Sequence, residues 1–375
     1  MFLSRSSLNR VCRRHIRSFT VLAFESSADD TAVAIVNSER QILSNVVRKQ
    51  HALHEGYGGI HPKIAIEAHQ RNMPLAVQQA LQEARTSVND IDGIAFTRGP
   101  GIGGCLSVGS NAAKSLAAAL GKPLVGVHHM QAHALTPLLT CSTEEAPVFP
   151  FLTLLVSGGH TLLLVATSRS EFKILGTTLD ESIGRTFDKI SRLLELKWSN
   201  RGPGAALEEF ALQTTQQDLE SVPALPRPMP KRLAFSFSAL HSAVERFVYN
   251  QGGIGNIAMS TRRGLAMGFQ NSAIAQLEEK LGLGMDWCAR ENLNIRHVVV
   301  SGGVASNQLL RTRLSTFLNN WGDHPICLVY PPVALCTDNA AMIAWAAMYR
   351  FLDNDFDDYT IDLRPEWSLE NLQLH

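Results

Sequence analysis

The chain has 375 residues, 45% of them apolar and 18% charged, with Lys+Arg and Asp+Glu equal at 34 each. That is ordinary globular composition with enough apolar surface for a sizeable core, so collagen-like, disordered and disulfide-framework classes are excluded. No stretch approaches the ~18 uninterrupted apolar residues that a membrane-spanning helix needs. The six cysteines, Cys12, Cys105, Cys141, Cys288, Cys327 and Cys336, form no CxxC pair and read as small buried hydrophobes in a reducing compartment.

Residues 1–19 carry Arg5, Arg10, Arg13, Arg14 and Arg17, four serines and no acid. Arg-rich, Ser-containing, acid-free and weakly amphipathic, they read as a mitochondrial presequence. Its removal leaves 29 basic against 34 acidic residues. A mildly acidic protein must hold any nucleic acid through local basic patches.

Three strand-like runs follow at 21–27, 31–36 and 41–47. A strand is expected at 91–99, an Ala-rich helix at 103–120 and a strand at 123–129. The pattern then recurs: strands at 149–159, 161–167 and 171–178, and further on a strand at 296–303, a helix at 306–318, a strand at 326–332 and a helix at 338–350. A meander plus βαβ units, occurring twice, predicts a duplicated α/β fold with a ligand cleft between the halves. The expected boundaries are 20–147 for the first lobe and 148–352 for the second, with a mostly helical insertion at about 180–290 and an acidic tail at 353–375.

The sharpest motif is His129-Met130-Gln131-Ala132-His133, at the expected start of a helix. Histidines at i and i+4 share a helix face and can grip one metal. Met130 stands where an HExxH protease has its general base. The bland reading is a hydrogen-bonded pair of histidines. Asp338 follows a strand where a helix should begin and is the candidate third ligand; its bland reading is an N-cap. Two neutral nitrogens and a carboxylate suit Fe or Zn, with positions left for substrate oxygen.

Two glycine-rich turns, Val156-Ser157-Gly158-Gly159 and Ser301-Gly302-Gly303 running on to Ser306-Asn307, end apolar runs. Their backbone N–H groups can point at a phosphate, and neither has P-loop spacing. Their pairing at matching places in two halves suits the duplicated phosphate-binding hairpins of an actin-like fold. Glu25-Ser26-Ser27-Ala28-Asp29-Asp30 packs three carboxylates into one turn, whose mutual repulsion needs a cation or donor to offset it. Arg98-Gly99-Pro100-Gly101 fits an anion-accommodating loop. Asp180, Gly184 and Asp188 are expected on one helix face, with Asp188 able to accept from a ribose hydroxyl.

Together ESSADDT (25–31), QHALHEGYGGIHP (50–62), TRGPGIGGCLSVG (97–109), HHMQAH (128–133), LLVSGGHT (154–161), FDKISRLLEL (187–196), FSFSALHSAV (235–244), VSGGVASNQLLR (300–311) and PPVALCTDNAAMIA (331–344) resemble the threonylcarbamoyl transferase family. With the Arg-rich start, the chain is similar to the mitochondrial form. The resemblance implies an α/β actin-like (ASKHA) fold of two RNase H-like lobes. It also implies transfer of threonylcarbamoyl from threonylcarbamoyl-AMP to N6 of adenosine at tRNA position 37, in tRNAs reading codons that begin with A. By position it makes His129, His133 and Asp338 the ligands of one divalent ion, Fe or Zn. Leu155, Val156, Ser157, Gly158, Gly159, Asp188, Gly204, Glu208, Ser306, Asn307 and Thr337 would hold the adenylate, and Asp30 would act near its phosphate. A separate synthase, tRNA, a homodimer and the mitochondrial matrix complete the expectation, with no membrane partner. Ala28 and His241 depart from the family's Cys and Lys. Arg185/Lys189/Arg192, Lys231/Arg232 and Arg262/Arg263 are candidate tRNA contacts. A metalloprotease, an actin-like ATPase or sugar kinase, and a non-catalytic scaffold are the competing readings.

Overall fold

A computed structural model describes residues 18–57, 59–198, 202–322 and 325–372. Most of the expected presequence lies outside the described residues. The first half builds β1 (Thr20–Glu25), β2 (Asp30–Asn37), β3 (Ile42–Lys49), α1 (His51–His54), α2 (Pro62–Glu83), β4 (Gly93–Gly99), α3 (Gly103–Leu120), β5 (Leu124–His128) and α4 (His129–Thr140). The second builds β6 (Phe151–Val156), β7 (Thr161–Ala166) and β8 (Phe172–Thr177), then α5 (Ile183–Leu193), α6 (Pro203–Ala211), α7 (Gln216–Glu220), α8 (Ser238–Asn250) and α9 (Met259–Arg290). β9 (His297–Ser301), α10 (Gln308–Asn319), β10 (Cys327–Val329), α11 (Val333–Cys336) and α12 (Ala340–Leu352) complete it.

The two sheets have the same order, β3-β2-β1-β4-β5 and β8-β7-β6-β9-β10. In each, three antiparallel strands lead to two parallel ones. The central strands are buried on both faces, which is why they read as unbroken apolar runs. Along β1, Val21 and Ala23 enter a core shared between the lobes, while Leu22 and Phe24 enter the outer core under α2 and α3. Along β6, Phe151 and Leu155 face the shared core, and Leu152, Leu154 and Val156 face the core of the helical insertion.

α12 follows the second sheet in sequence but packs on the first. The small residues Ala23, Ala32, Ala34 and Ala95 let its alanine-rich face approach closely, beside Met342, Trp345 and Met348. α4, from the first half, packs against α12 and reaches β6 and β9. This crossing brings the amino ends of α4 and α12 together at the carboxyl ends of the parallel strands.

The tail from Asp353 straps both halves. Arg98 Nε donates to Asp362 O at 2.8 Å, Gly101 N to Pro365 O at 3.1 Å, and Ile174 N, on β8, to Glu370 Oε1 at 2.9 Å. A Cβ on Gly99 would lie 1.8 Å from Arg364 O. Gly99 therefore makes room for the tail's backbone and Gly101 for Ser27, which corrects the expectation of an anion-accommodating loop there.

Candidate active site and metal centre

His129 and His133 occupy the first turn of α4, with ring centroids 4.8 Å apart and planes at 86°. The helix starts there because His128 caps it: its Nδ1 accepts from Met130 N at 3.1 Å, and its Nε2 donates to Trp367 O at 3.1 Å. Burial pushes the His128 imidazole down to about 3, so the ring stays neutral and its tautomer is set by those two partners.

Asp338 Oδ1 lies 3.0 Å from His133 Nε2 and 3.4 Å from His129 Nε2. It is not the cap of the following helix. Asn339 takes that place, its side chain accepting from Met342 N at 3.0 Å. Asp338 is thereby free to face the histidines, and the bland N-cap reading is replaced.

Behind His129 stands a residue that sequence reasoning treated only as part of an acidic turn. Glu25, fully buried at the end of β1, places Oε2 3.1 Å from His129 Nδ1. The same carboxylate accepts from Ser27 N at 2.6 Å and from the Thr97 hydroxyl. A carboxylate on Nδ1 fixes the ring and leaves Nε2 for a ligand, the arrangement usual behind metal-bound histidines. The signal was a lone acid closing an apolar strand.

The charges agree with a cation site. Burial disfavours a charged His129 ring, but Glu25 and Asp338 on either side outweigh it and lift the imidazole to about 10. Burial would raise Asp338, yet His129 and His133 hold it well below the ordinary carboxylate range. The buried His133 Nδ1 has no hydrogen-bond partner, so this ring's other nitrogen carries its interactions. One donor atom from each of His129, His133 and Asp338 falls within 4.8 Å of the others. Two imidazoles and one carboxylate are a donor set that Zn or Fe accepts. His160, on the turn after β6, faces the same charges, and burial first, then His129, pushes it down to about 4.

Both glycine-rich turns belong to the second sheet, on the neighbouring strands β6 and β9, so the expectation that they match across the two halves is corrected. The counterpart of the β6–β7 turn in the first half is the acidic β1–β2 turn. Leu155 and Val156 bury their side chains in two cores and offer only backbone. Gly158 and Gly159 are exposed with open space at their Cα atoms. Ser157 Oγ accepts from His160 N at 3.0 Å, and Ser182 Oγ donates to Gly158 O at 2.5 Å.

Asp188 and Gly204 meet, with the Gly204 N–H donating to Asp188; burial pushes that carboxyl up to about 7. Glu208 Oε1 accepts from Gln308 N at 2.6 Å, at the start of α10. Asn307 is committed as the cap of α10, its side-chain oxygen accepting from Leu310 N and its amide donating to Gln270 Oε1 at 3.0 Å. Ser306 Oγ donates to Gly303 O at 2.7 Å, and Thr337 lies beside Gly303. Asp30 opens β2 next to the acidic turn, 7% exposed.

Asp180 departs from expectation. It precedes α5, whose cap is Ser182, and instead accepts from Ser236 Oγ at 2.6 Å and Phe237 N at 2.9 Å, tying the insertion to the sheet. Two of the basic patches are partly neutralised: Lys189 pairs with Glu181 and Arg263 with Asp218. Lys231 and Arg232 are exposed.

The chain is similar to known proteins in fold and in sequence. Among solved structures, the chain resembles T. kodakarensis HypF (TM-score 0.55, 14% identity, 90% of this chain and 48% of that one). It also resembles component A of the Acidaminococcus fermentans (R)-2-hydroxyglutaryl-CoA dehydratase (TM-score 0.51, 14% identity, 90% and 99%). These establish an actin-like fold. In sequence, a tRNA N6-adenosine threonylcarbamoyltransferase of Roseobacter denitrificans is 42% identical over 365 residues, covering 95% of each chain. A probable mitochondrial tRNA N6-adenosine threonylcarbamoyltransferase of Arabidopsis thaliana is 39% identical over 370 residues, covering 94% of this chain and 75% of its own. The family pattern described as TsaD: tRNA N6-adenosine threonylcarbamoyltransferase matches residues 41–345, from β2's hairpin partner to the middle of α12, and the chain belongs to that family.

Proposed function

We propose that this enzyme moves threonylcarbamoyl from threonylcarbamoyl-AMP to N6 of adenosine 37 in mitochondrial tRNAs, and that His129, His133 and Asp338 hold one Zn or Fe ion for that reaction. The observation that carries the reading is the convergence of those three donors with Glu25 behind His129. The adenine amine is a weak nucleophile because its lone pair is delocalised into the ring. The donor's mixed anhydride offsets this by supplying AMP as a leaving group. When bound, the metal supplies Lewis-acid polarisation of oxygen.

The chain's own residues do the positioning. The exposed Gly158 and Gly159 present backbone N–H groups to the anionic donor, and Asp188 accepts from its ribose. His160, on that turn, lies within electrostatic reach of Asp338 and the two imidazoles. Holding amine and carbonyl together replaces a bimolecular encounter by an oriented one. Met130 leaves a protease without its base, and the family match over residues 41–345 favours acyl transfer over an actin-like ATPase or sugar kinase. Exposed Lys231 and Arg232 serve tRNA; a steep fall of tRNA binding with salt is expected. The Arg-rich residues 1–19 and the mitochondrial Arabidopsis relative support the matrix as its location, with a separate synthase supplying the donor and a homodimer as the working form.

Purified full-length protein, incubated with unmodified tRNA and threonylcarbamoyl-AMP, is expected to yield threonylcarbamoyladenosine on mass spectrometry of the digested tRNA. His129→Ala is expected to give at least about 100-fold less. Equal product from both removes the metal assignment. No product from either, with or without added mitochondrial extract, removes the reaction itself.

A further inference from the structure

The β1–β2 turn holds more negative charge than the histidine centre uses. Asp29 and Asp30 are adjacent, and Asp30 is 7% exposed with a buried Oδ1 that takes no hydrogen bond. Across from them, His51 Nε2 on α1 stands 3.9 Å from Asp29 Oδ2, too long for a hydrogen bond. One donor atom from each of Asp29, Asp30 and His51 lies within 4.8 Å of the other two.

The surroundings hold this trio in place without occupying it. His69 Nε2 donates to Ala28 O at 3.0 Å and its Nδ1 accepts from Thr31 Oγ1 at 2.8 Å, so the turn is pinned on both sides of the aspartates. His54 is spent on Gln50 Oε1 at 3.2 Å and on His61 N at 3.3 Å. Burial keeps His54 and His69 neutral, so neither offsets the carboxylates. Lys49, the register partner of Asp30, is the nearby cation of the chain itself.

We propose that Asp29, Asp30 and His51 form a second divalent-cation site, separate from the histidine pair of α4, that takes an ion of the Mn2+/Mg2+ class. Two carboxylates from the β1–β2 turn and one imidazole from α1 supply half of an octahedral shell, leaving positions for water or for a phosphate oxygen. The imidazole favours Mn2+ over Mg2+. A phosphate brought beside two aspartates would otherwise meet net repulsion, with Lys49 to offset one charge; that role for the ion rests on the donor assignment made above, whereas the binding of the ion does not.

The test therefore uses no nucleotide, tRNA or activity. Chelator-stripped full-length protein is titrated with Mn2+, and free Mn2+ is read by its electron paramagnetic resonance signal. Wild type is expected to take up two ions per chain. His51→Ala and Asp29→Asn are each expected to take up one, or to bind the second at least about tenfold more weakly. His51 has a side chain 38% exposed and Asp29→Asn is isosteric, so unchanged circular dichroism and thermal midpoint accompany the loss. A wild type that binds one ion, or variants that still bind two with unchanged affinity, overturns the proposal. A second ion that survives both substitutions but vanishes in Lys231→Ala or another surface variant also overturns it.

Discussion

The two sheets share one strand order, yet the turns between their first two strands carry opposite chemistry. The β1–β2 turn follows Glu25 and ends in Asp29 and Asp30; the β6–β7 turn is Ser157-Gly158-Gly159-His160, without an acid. Both follow the central strand of their sheet, and each is held by a side chain from a following helix or its cap, His69 on Ala28 O and Ser182 on Gly158 O. Duplication thus supplies two identical scaffolds and leaves the turn residues to set what each attracts. The acidic turn backs the proposed cation centre, through Glu25 on His129. The glycine turn offers unobstructed backbone N–H groups, which suit an anion.

The sharpest way to break this comparison is to disturb how the second turn is packed. Gly302 has φ +99°, and a Cβ there would lie 2.4 Å from Val156 O, in the strand that leads into the turn. Neither the backbone conformation nor the neighbour can yield cheaply. Gly302→Ala is expected to cost at least about 2–3 kcal/mol, read as a lower urea midpoint at unchanged slope. Gly158→Ala, with nothing within 4 Å, is expected to stay within about 0.5 kcal/mol of wild type. Equal costs would mean that the turn is not held by contact with Gly302.

On the acidic side, Glu25→Gln keeps the shape of the residue and removes its charge. The fold should persist, because the amide oxygen can still accept from Ser27 N while the Thr97 hydroxyl turns to accept from the amide nitrogen. Zinc affinity, measured by competition with a chelator, is expected to fall about 10–100-fold, the usual cost of losing a carboxylate behind a ligating histidine. Unchanged affinity would place Glu25 in the fold alone. A loss far beyond that range, together with a lower thermal midpoint, would show that the charge is also needed to keep β1 and α4 together.

The strands and helices were largely legible because their cause is local: apolar runs for strands buried on both faces, and helical spacing for α3, α10 and α12. His129 and His133 were legible for the same reason, since i and i+4 fix a shared face. Glu25 was legible only as an acid closing an apolar strand, because its role depends on β1 ending beside β4 and α4, a long-range pairing that the local sequence does not carry. Asp180 misled because Asp-Glu-Ser reads as a helix start, whereas Ser182 wins the cap and Asp180 is drawn to the hydroxyls and amide at 236–238. The glycines of 99–101 misled in a related way. Gly99 lacks a side chain to suit the C-terminal tail, which arrives from more than 260 residues away in sequence, as in the Arg98–Asp362 contact, and Gly101 lacks one to suit Ser27.

The smallest effect concerns Asp188, which lies between the two chemistries. Burial pushes its carboxyl up to about 7, and the Gly204 N–H opposes that only in part. A carboxyl raised in the folded state is most stabilising when protonated. Its contribution to stability is therefore full below the ordinary carboxylate range and declines as pH rises through about 7. A ribose hydroxyl donating to Asp188 favours the charged form and so binds better above that pH. Adenosine, which carries no titrating phosphate, is the ligand to use. Its affinity is expected to rise up to about tenfold between pH 6 and pH 8, the change in the ionised fraction of a group titrating near 7. Asp188→Asn should flatten that profile while leaving the zinc affinity of the histidine centre intact. A flat profile in the wild-type protein would separate Asp188 from the ribose and leave it as a buried acid facing Gly204.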